Sequence, residues 1–152
     1  MSFNPVVVIG VDPDSEAHGV AIYRHGELED LKVMPLMDLL MLAKFEARDS
    51  IDRCKVSIEN VMINKFVYAR NQHSSKAAQS KIAMSIGRCQ QAQVELERAL
   101  KSIGVPFELH RPTKNNWANN KPMFEKVTGW NKRSNVDTRS AAYFGFLASK
   151  EK

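Results

Sequence analysis

Val6-Val7-Val8-Ile9-Gly10-Val11-Asp12-Pro13-Asp14-Ser15, followed shortly by Gly19-Val20-Ala21-Ile22-Tyr23, is the stretch that decides how this chain folds. An apolar, β-branched run ends on one acid, turns tightly at a proline, and gives way to a second apolar run. A strand that is apolar on both faces belongs in the middle of a sheet. A carboxylate at the C-terminal end of such a strand is poorly placed for packing and well placed to hold a cation. The weight of Asp12 therefore depends on which other acids the fold brings to it.

Outward from this stretch, the pattern predicts strands over residues 6–11, 19–24 and 28–34, joined by short connections as an antiparallel meander. His25-Gly26-Glu27 is the second turn. Pro35 opens a helix over 36–47, with Leu36, Leu39, Leu40 and Ala43 at helical spacing. Residues 54–61 read as a fourth strand carrying Val56, Ile58 and Glu59. A polar, basic loop over 64–75 precedes one long amphipathic helix over 75–103, stopped by Gly104. A fifth strand is expected at 105–109, a helical stretch from about 113, a loop at 130–134 and a last helix at 135–149. The order β-β-β-α-β-α-β-α describes an α/β chain with a five-stranded mixed sheet flanked by helices.

The 152 residues are expected to form one domain, 1–152, with one real core. Net charge is +5, which leans towards a polyanionic partner, most simply nucleic acid. Cys54 and Cys89 show no C-x-x-C spacing and read as reduced thiols of a cytoplasmic protein. The first residues lack the basic segment of a signal peptide, and no run approaches the roughly 18 apolar residues of a membrane helix.

Three acids stand at comparable places: Asp12 at the end of the first strand, Glu59 near the end of the fourth, and Asp137 in the first turn of the last helix. If the strands are neighbours, the carboxylates converge at one edge of the sheet. Hard oxygen ligands select Mg²⁺ or Mn²⁺, and two such ions can activate water and stabilise the leaving oxygen of a phosphodiester. Each acid also has an ordinary reading. Asp12 could be a turn residue, Glu59 a solvated strand-end acid, and Asp137 a first-turn acid favoured by the helix dipole behind an Asn135 cap.

Bases and aromatics interleave in two places. Lys65, Phe66, Tyr68, Arg70 and Lys76 follow Glu59, where cations would meet phosphates and aromatics could stack on splayed bases. Phe66 and Tyr68 could instead anchor the loop. Lys132 and Arg133 follow Trp130 just ahead of Asp137. Trp117 reads as core or subunit contact. Ala77, Ala78, Ala83 and Gly87 would let a second helix approach the long one, or would pack on the chain's own sheet.

Val8-Ile9-Gly10-Val11-Asp12-Pro13-Asp14-Ser15 with Gly19-Val20-Ala21 is similar to the opening "GIDPGS…TG" of RuvC-type Holliday junction resolvases. Ser57-Ile58-Glu59-Asn60-Val61 resembles their "IE-x-V" strand. Lys65 and the long helix with Ile86-Gly87-Arg88 resemble the segment after that strand, and Asp137-Thr138-Arg139-Ser140-Ala141-Ala142 resembles their closing "D-x-x-D-A" helix. The likeness runs from about 6 to 147, and phage or viral versions are candidate relatives. It implies a ribonuclease H-like fold, a homodimer, and Mg²⁺-dependent (or Mn²⁺-dependent) paired nicking of four-way DNA junctions, with two ions per active site and no small-molecule cofactor or membrane. It implies a cytoplasmic place beside nucleoid or viral DNA. By position it makes Asp12, Glu59 and Asp137 metal ligands and sets Lys114 where it could contact the scissile phosphate, with Lys121 or Lys126 as a second base. Lys126 reads better as a solvated lysine.

The chain departs from that pattern at Ser140, where the family has its second closing acid, and at Asp14, where the family has glycine. Asp14 could supply the missing carboxylate or simply form an Asx-turn. A junction-binding protein with weak or no cleavage, and a nuclease of RNA–DNA hybrids, are the alternative functions. An actin-like phosphotransferase is disfavoured because Pro13-Asp14-Ser15 makes a poor phosphate cradle.

Overall fold

The computed structural model describes residues 5–63 and 75–150. Five strands, β1 (Val7–Asp12), β2 (His18–Arg24), β3 (Glu27–Met34), β4 (Cys54–Glu59) and β5 (Phe107–His110), form one sheet in the order β3-β2-β1-β4-β5. β1 pairs antiparallel with β2, and β2 with β3; β4 runs parallel to β1, and β5 to β4. The meander and the crossover strands expected from the sequence are both present. The connection from β2 to β3 is the two-residue turn His25-Gly26, with φ of +53° and +82°. Two left-handed residues in succession give the turn whose twist suits a hairpin.

Alternation along the strands sorts the side chains into two layers. Val7, Ile9, Val11, Val20, Ile22, Val56 and Ile58 face one side. There they pack under Leu39 and Ala43 of α1 (Leu36–Glu46) and Leu96 and Leu100 of α2 (Lys76–Ile103). On the other side Ala21 joins Trp117, Phe124, Ala141 and Ala142, and Val8 and Tyr23 meet Ala148. This second layer is built by α3 (Lys121–Thr128) and α4 (Val136–Ser149). Trp117 is therefore core, ringed by Phe124, Tyr143 and Phe146 at centroid distances of 5.2–5.8 Å.

Two strands are shorter than expected: β4 stops at Glu59 rather than 61, where a 3-10 turn follows at Val61–Ile63, and β5 begins at Phe107 rather than 105. One stretch differs in kind. No α-helix begins near Thr113. The chain turns there, makes a single 3-10 turn at Trp117–Asn119, and only then enters α3. Two asparagines cause this. Asn116 accepts from the Ala118 N–H and Asn120 from the Met123 N–H, so each starts a new helical segment.

The seating of α4 is set by backbone on backbone. A Cβ on Gly10 would lie 2.1 Å from the Ala141 carbonyl oxygen, and one on Gly19 would lie 2.5 Å from that of Asp137. Only glycine lets the helix sit this close. Two buried hydroxyls fasten the contact: Tyr23 Oη donates to the Ala142 carbonyl at 2.6 Å, and Ser57 Oγ to that of Phe144 at 2.7 Å.

The two halves of α2 differ. Its C-terminal part is packed through Gln93, Leu96 and Leu100, whereas residues 76–92 include no buried residue. A helix of 28 residues spans about 42 Å at 1.5 Å per residue, so its N-terminal half extends past the sheet, over the C-terminal ends of β1 and β4.

Candidate active site

The alternation that builds the core also aims the acids. In β1, Val8, Gly10 and Asp12 face α4, and in β4 Ser57 and Glu59 do the same. The β1–β4 register runs from Val7↔Cys54 to Val11↔Ile58, so Asp12 and Glu59 are the next neighbours along it. Asp12 pairs with Gly19 on its other side, and over Gly19 lies the backbone of Asp137. A reciprocal capping box starts α4: the Thr138 N–H donates to Asn135 Oδ1 at 2.8 Å, and the Asn135 N–H to Thr138 Oγ1 at 2.9 Å. The cap fixes the first turn of α4, and with it Asp137.

Asp12, Asp14, Glu59 and Asp137 line one pocket of about 240 Å³ with Pro13, Val61 and, from α2, Ser85, Ile86 and Cys89. Burial pushes the Asp12 carboxyl up to about 8, with the charges of Glu59, Asp137 and Asp14 adding to the rise and a hydrogen bond from Ser140 opposing it. Glu59 is raised by burial and by Asp137, again against a hydrogen bond from Ser140. Asp137, more exposed, is raised by burial and by Asp14. Among the described residues, every charge that shifts these three carboxyls is negative.

Ser140 is buried beside Asp12 and Glu59, and its single hydroxyl proton lowers the pKa of whichever carboxylate it is donated to. Asp14 makes the Asx-turn that its sequence position allows, accepting from the Glu16 N–H at 3.1 Å, while its charge still acts on Asp12 and Asp137. Among the described residues, no three Asp, Glu, His or Cys side chains close around one point as metal ligands. The donor set nonetheless suits a hard divalent ion: the facing groups are carboxylate oxygens, partly buried, with mutual repulsion that a cation would relieve.

The expected DNA contacts are distributed differently. Lys114 is exposed in the turn before Trp117, Lys76 is exposed at the start of α2, and Lys121 is exposed at the start of α3. Lys132 and Arg133 are exposed in the link to α4, where Trp130 Nε1 donates to the Arg133 carbonyl at 3.0 Å and Lys132 Nζ lies 5.6 Å from the Trp130 ring centroid. None of these bases is among the groups that shift the three carboxyls. Lys65, Phe66, Tyr68 and Arg70 lie outside the described residues.

Four participants are not singled out by the sequence pattern. His18 is buried and accepts from the Asp14 N–H at 3.2 Å through Nδ1, and its burial favours the neutral ring. Cys89 brings a thiol to the acidic pocket, held protonated first by burial and then by Asp14, Asp12 and Asp137. Gln93 and Gln90 tie the backbone beyond Glu59 to α2. A signal for Gln93 is present in the chain: Cys89, Gln93, Leu96 and Leu100 share one helical stripe, and a glutamine on an apolar stripe is a buried amide in need of partners.

This sheet order and helix placement define the ribonuclease H-like fold, as expected from the sequence. Among solved structures, the chain is similar to Thermus thermophilus RuvC in complex with Holliday junction substrate, at 16% identity, 93% coverage of this chain, 90% of that chain and a TM-score of 0.56. A second Thermus thermophilus RuvC structure matches at 15% identity, 94% and 92% coverage and a TM-score of 0.45. No protein-family model and no curated protein sequence matches the chain.

Proposed function

We propose that this chain is a divalent-metal-dependent endonuclease that resolves four-way DNA junctions by paired nicks, acting as a homodimer. The observation that carries the reading is the gathering of Asp12, Glu59 and Asp137, with Asp14, at the strand ends of a RuvC-like fold, under mutual repulsion that a divalent ion would relieve. Asp12, Glu59 and Asp137 would hold Mg²⁺ or Mn²⁺, in a pair if the site is fully loaded. Bound there, such ions supply a nucleophilic water at neutral pH and stabilise the leaving oxygen of a phosphodiester.

The chain's own groups do the rest. Asp12 and Glu59 present oxygens from adjacent strands, with the Ser140 hydroxyl beside them to donate a hydrogen bond. Asp137 closes the site from the first turn of α4. Lys76, Lys114, Lys121, Lys132 and Arg133, with Lys65 and Arg70, would track the phosphates, in keeping with a net charge of +5. The N-terminal half of α2 suits a second subunit: among the described residues, a Cβ on Gly87 would meet nothing within 4 Å, so this face is not packed on the chain's own sheet.

The test is cleavage of a labelled four-way junction with Mg²⁺ or Mn²⁺, alongside an RNA–DNA hybrid. Wild type should nick the junction in symmetric pairs and prefer it to the hybrid. Asp12→Asn and Glu59→Gln should bind it in Ca²⁺ and leave it uncut. Failure of wild type to cut the junction with either metal sinks this reading. Tight binding without cleavage would favour a junction-binding protein instead, a reading supported by the serine standing beside Asp12 and Glu59.

A further inference from the structure

β4 ends at Glu59, yet the chain beyond it is held by hydrogen bonds with α2 and with β5. Gln93 is 0% exposed, and each polar atom of its side chain is used. Oε1 accepts from the Val61 N–H at 2.7 Å, while Nε2 donates to Asn60 Oδ1 at 3.0 Å and to the Glu97 carboxylate at 3.0 Å. Asn60 Oδ1 also accepts from the Met62 N–H at 3.2 Å, and the Asn60 N–H donates to the His110 carbonyl at 2.8 Å. One turn earlier on α2, Gln90 Nε2 donates to the Val61 carbonyl at 3.2 Å.

The Glu97 carboxylate sets the orientation of the Gln93 amide. It can only accept, so Nε2 must face it, and Oε1 is left for Val61. The stripe that carries Gln93 is otherwise apolar, and an apolar side chain of the same volume would fill the site without needing three partners. What the amide adds is a fixed path for the two residues after Glu59.

We propose that Gln93 is a positioning residue, which holds Glu59 against Asp12 by clamping the backbone of Asn60 and Val61 to α2. This rests on the reading of Asp12, Glu59 and Asp137 as metal-holding acids. The clamp also joins the two walls of the pocket, since Val61 and the α2 residues Ile86 and Cys89 line it together.

The test compares the full-length wild type with Gln93→Met, Gln93→Glu, the double variant Gln93→Glu/Glu97→Gln, and Leu100→Val as a core control farther along α2. Mn²⁺ affinity is read by calorimetry, junction affinity in Ca²⁺, and kcat with Mn²⁺; melting temperature is followed for each. Partners that orient metal ligands change affinity or activity by roughly 10- to 100-fold, and a loss in that range is expected for Gln93→Met in Mn²⁺ affinity and kcat, with junction affinity unchanged. Gln93→Glu keeps the Val61 acceptor but opposes Glu97. The double variant exchanges amide and acid between the two positions, so a donor again faces an acceptor across them, but the carboxylate at 93 still opposes Asn60 Oδ1, and only part of the loss should be regained. Leu100→Val should lower the melting temperature and leave Mn²⁺ affinity alone.

Gln93→Met with wild-type Mn²⁺ affinity and kcat overturns the proposal, as does a Leu100→Val variant that loses Mn²⁺ as badly. If wild type binds Mn²⁺ but cuts nothing, the nuclease reading fails while the affinities still decide the role of Gln93. If wild type binds no Mn²⁺, both fall.

Discussion

Asp12→Asn should make the metal-free protein more stable at pH 8, although it removes a group from the proposed active site. Burial and neighbouring acids hold the Asp12 carboxyl at about 8 in the fold against 3.8 for an unperturbed aspartate. The folded state thus binds a proton that the unfolded chain has released. The contribution of that proton to stability is complete below about pH 4 and is lost as the pH rises through 8. At 1.36 kcal/mol per pKa unit the full effect is about 6 kcal/mol. Solvent reaches the carboxyl from the pocket mouth and Glu59 can take up a proton in its place, so about 3 kcal/mol is expected at pH 8. For a chain of this length that amounts to ~6–12 °C in melting temperature.

The assay is thermal unfolding in chelator from pH 5 to pH 8.5, repeated with Mg²⁺. Wild type should melt progressively lower as the pH rises, and Asp12→Asn should follow a flatter course and melt higher at pH 8. Mg²⁺ should restore wild type, because a ligand that binds only the folded state stabilises it, and should do less for the variant. Asparagine keeps an oxygen for the Ser140 hydroxyl, so packing is not the variable. A flat wild-type profile in chelator, or a variant that melts below wild type at pH 8, would refute the electrostatic account of this pocket.

Gly19→Ala should push the first turn of α4 off the sheet, since its Cβ would lie 2.5 Å from the Asp137 carbonyl oxygen. About 1–3 kcal/mol of stability should go, with a fall in Mn²⁺ affinity by calorimetry; a variant that keeps both would mean that α4 is seated by other contacts. His25→Asn should raise stability by ~1 kcal/mol, because His25 holds a φ of +53° that asparagine accepts more readily. Denaturant unfolding measures it, and no gain would show the imidazole to be making a compensating contact.

Much of this molecule is legible in its sequence because period-two alternation carries two messages at once. The pattern that predicts β1 and β4 also fixes the face onto which Asp12 and Glu59 project, and the registers of the parallel strands then bring them side by side. Asp137 is legible through the Asn135 cap, a local signal. What escapes is non-local. The Gln93 clamp depends on which turn of α2 passes the end of β4, a matter of helix direction that the spacing of apolar residues does not contain. The expected helix near Thr113 fails for a different reason: Asn116 and Asn120 are both good caps, and two caps four residues apart divide a segment that composition alone reads as continuous. Ser140 is legible as a departure but not as a hydrogen-bond donor beside two acids.

The close seating of α4 on Gly10 and Gly19 bears on how such a site survives change. The distance between the acids of the sheet and the acid of the helix is set by side chains that are missing. Little sequence is needed to specify it: two glycines, the Tyr23 and Ser57 hydroxyls, a cap, the Gln93 amide and the acids themselves, far apart in the chain. Positions elsewhere in the two layers need only remain apolar, or helical, or able to pair as strands, and many residues meet each demand. Substitutions can therefore accumulate over most of the chain while the carboxylates stay where they are, and the geometry outlasts the resemblance between sequences that share it.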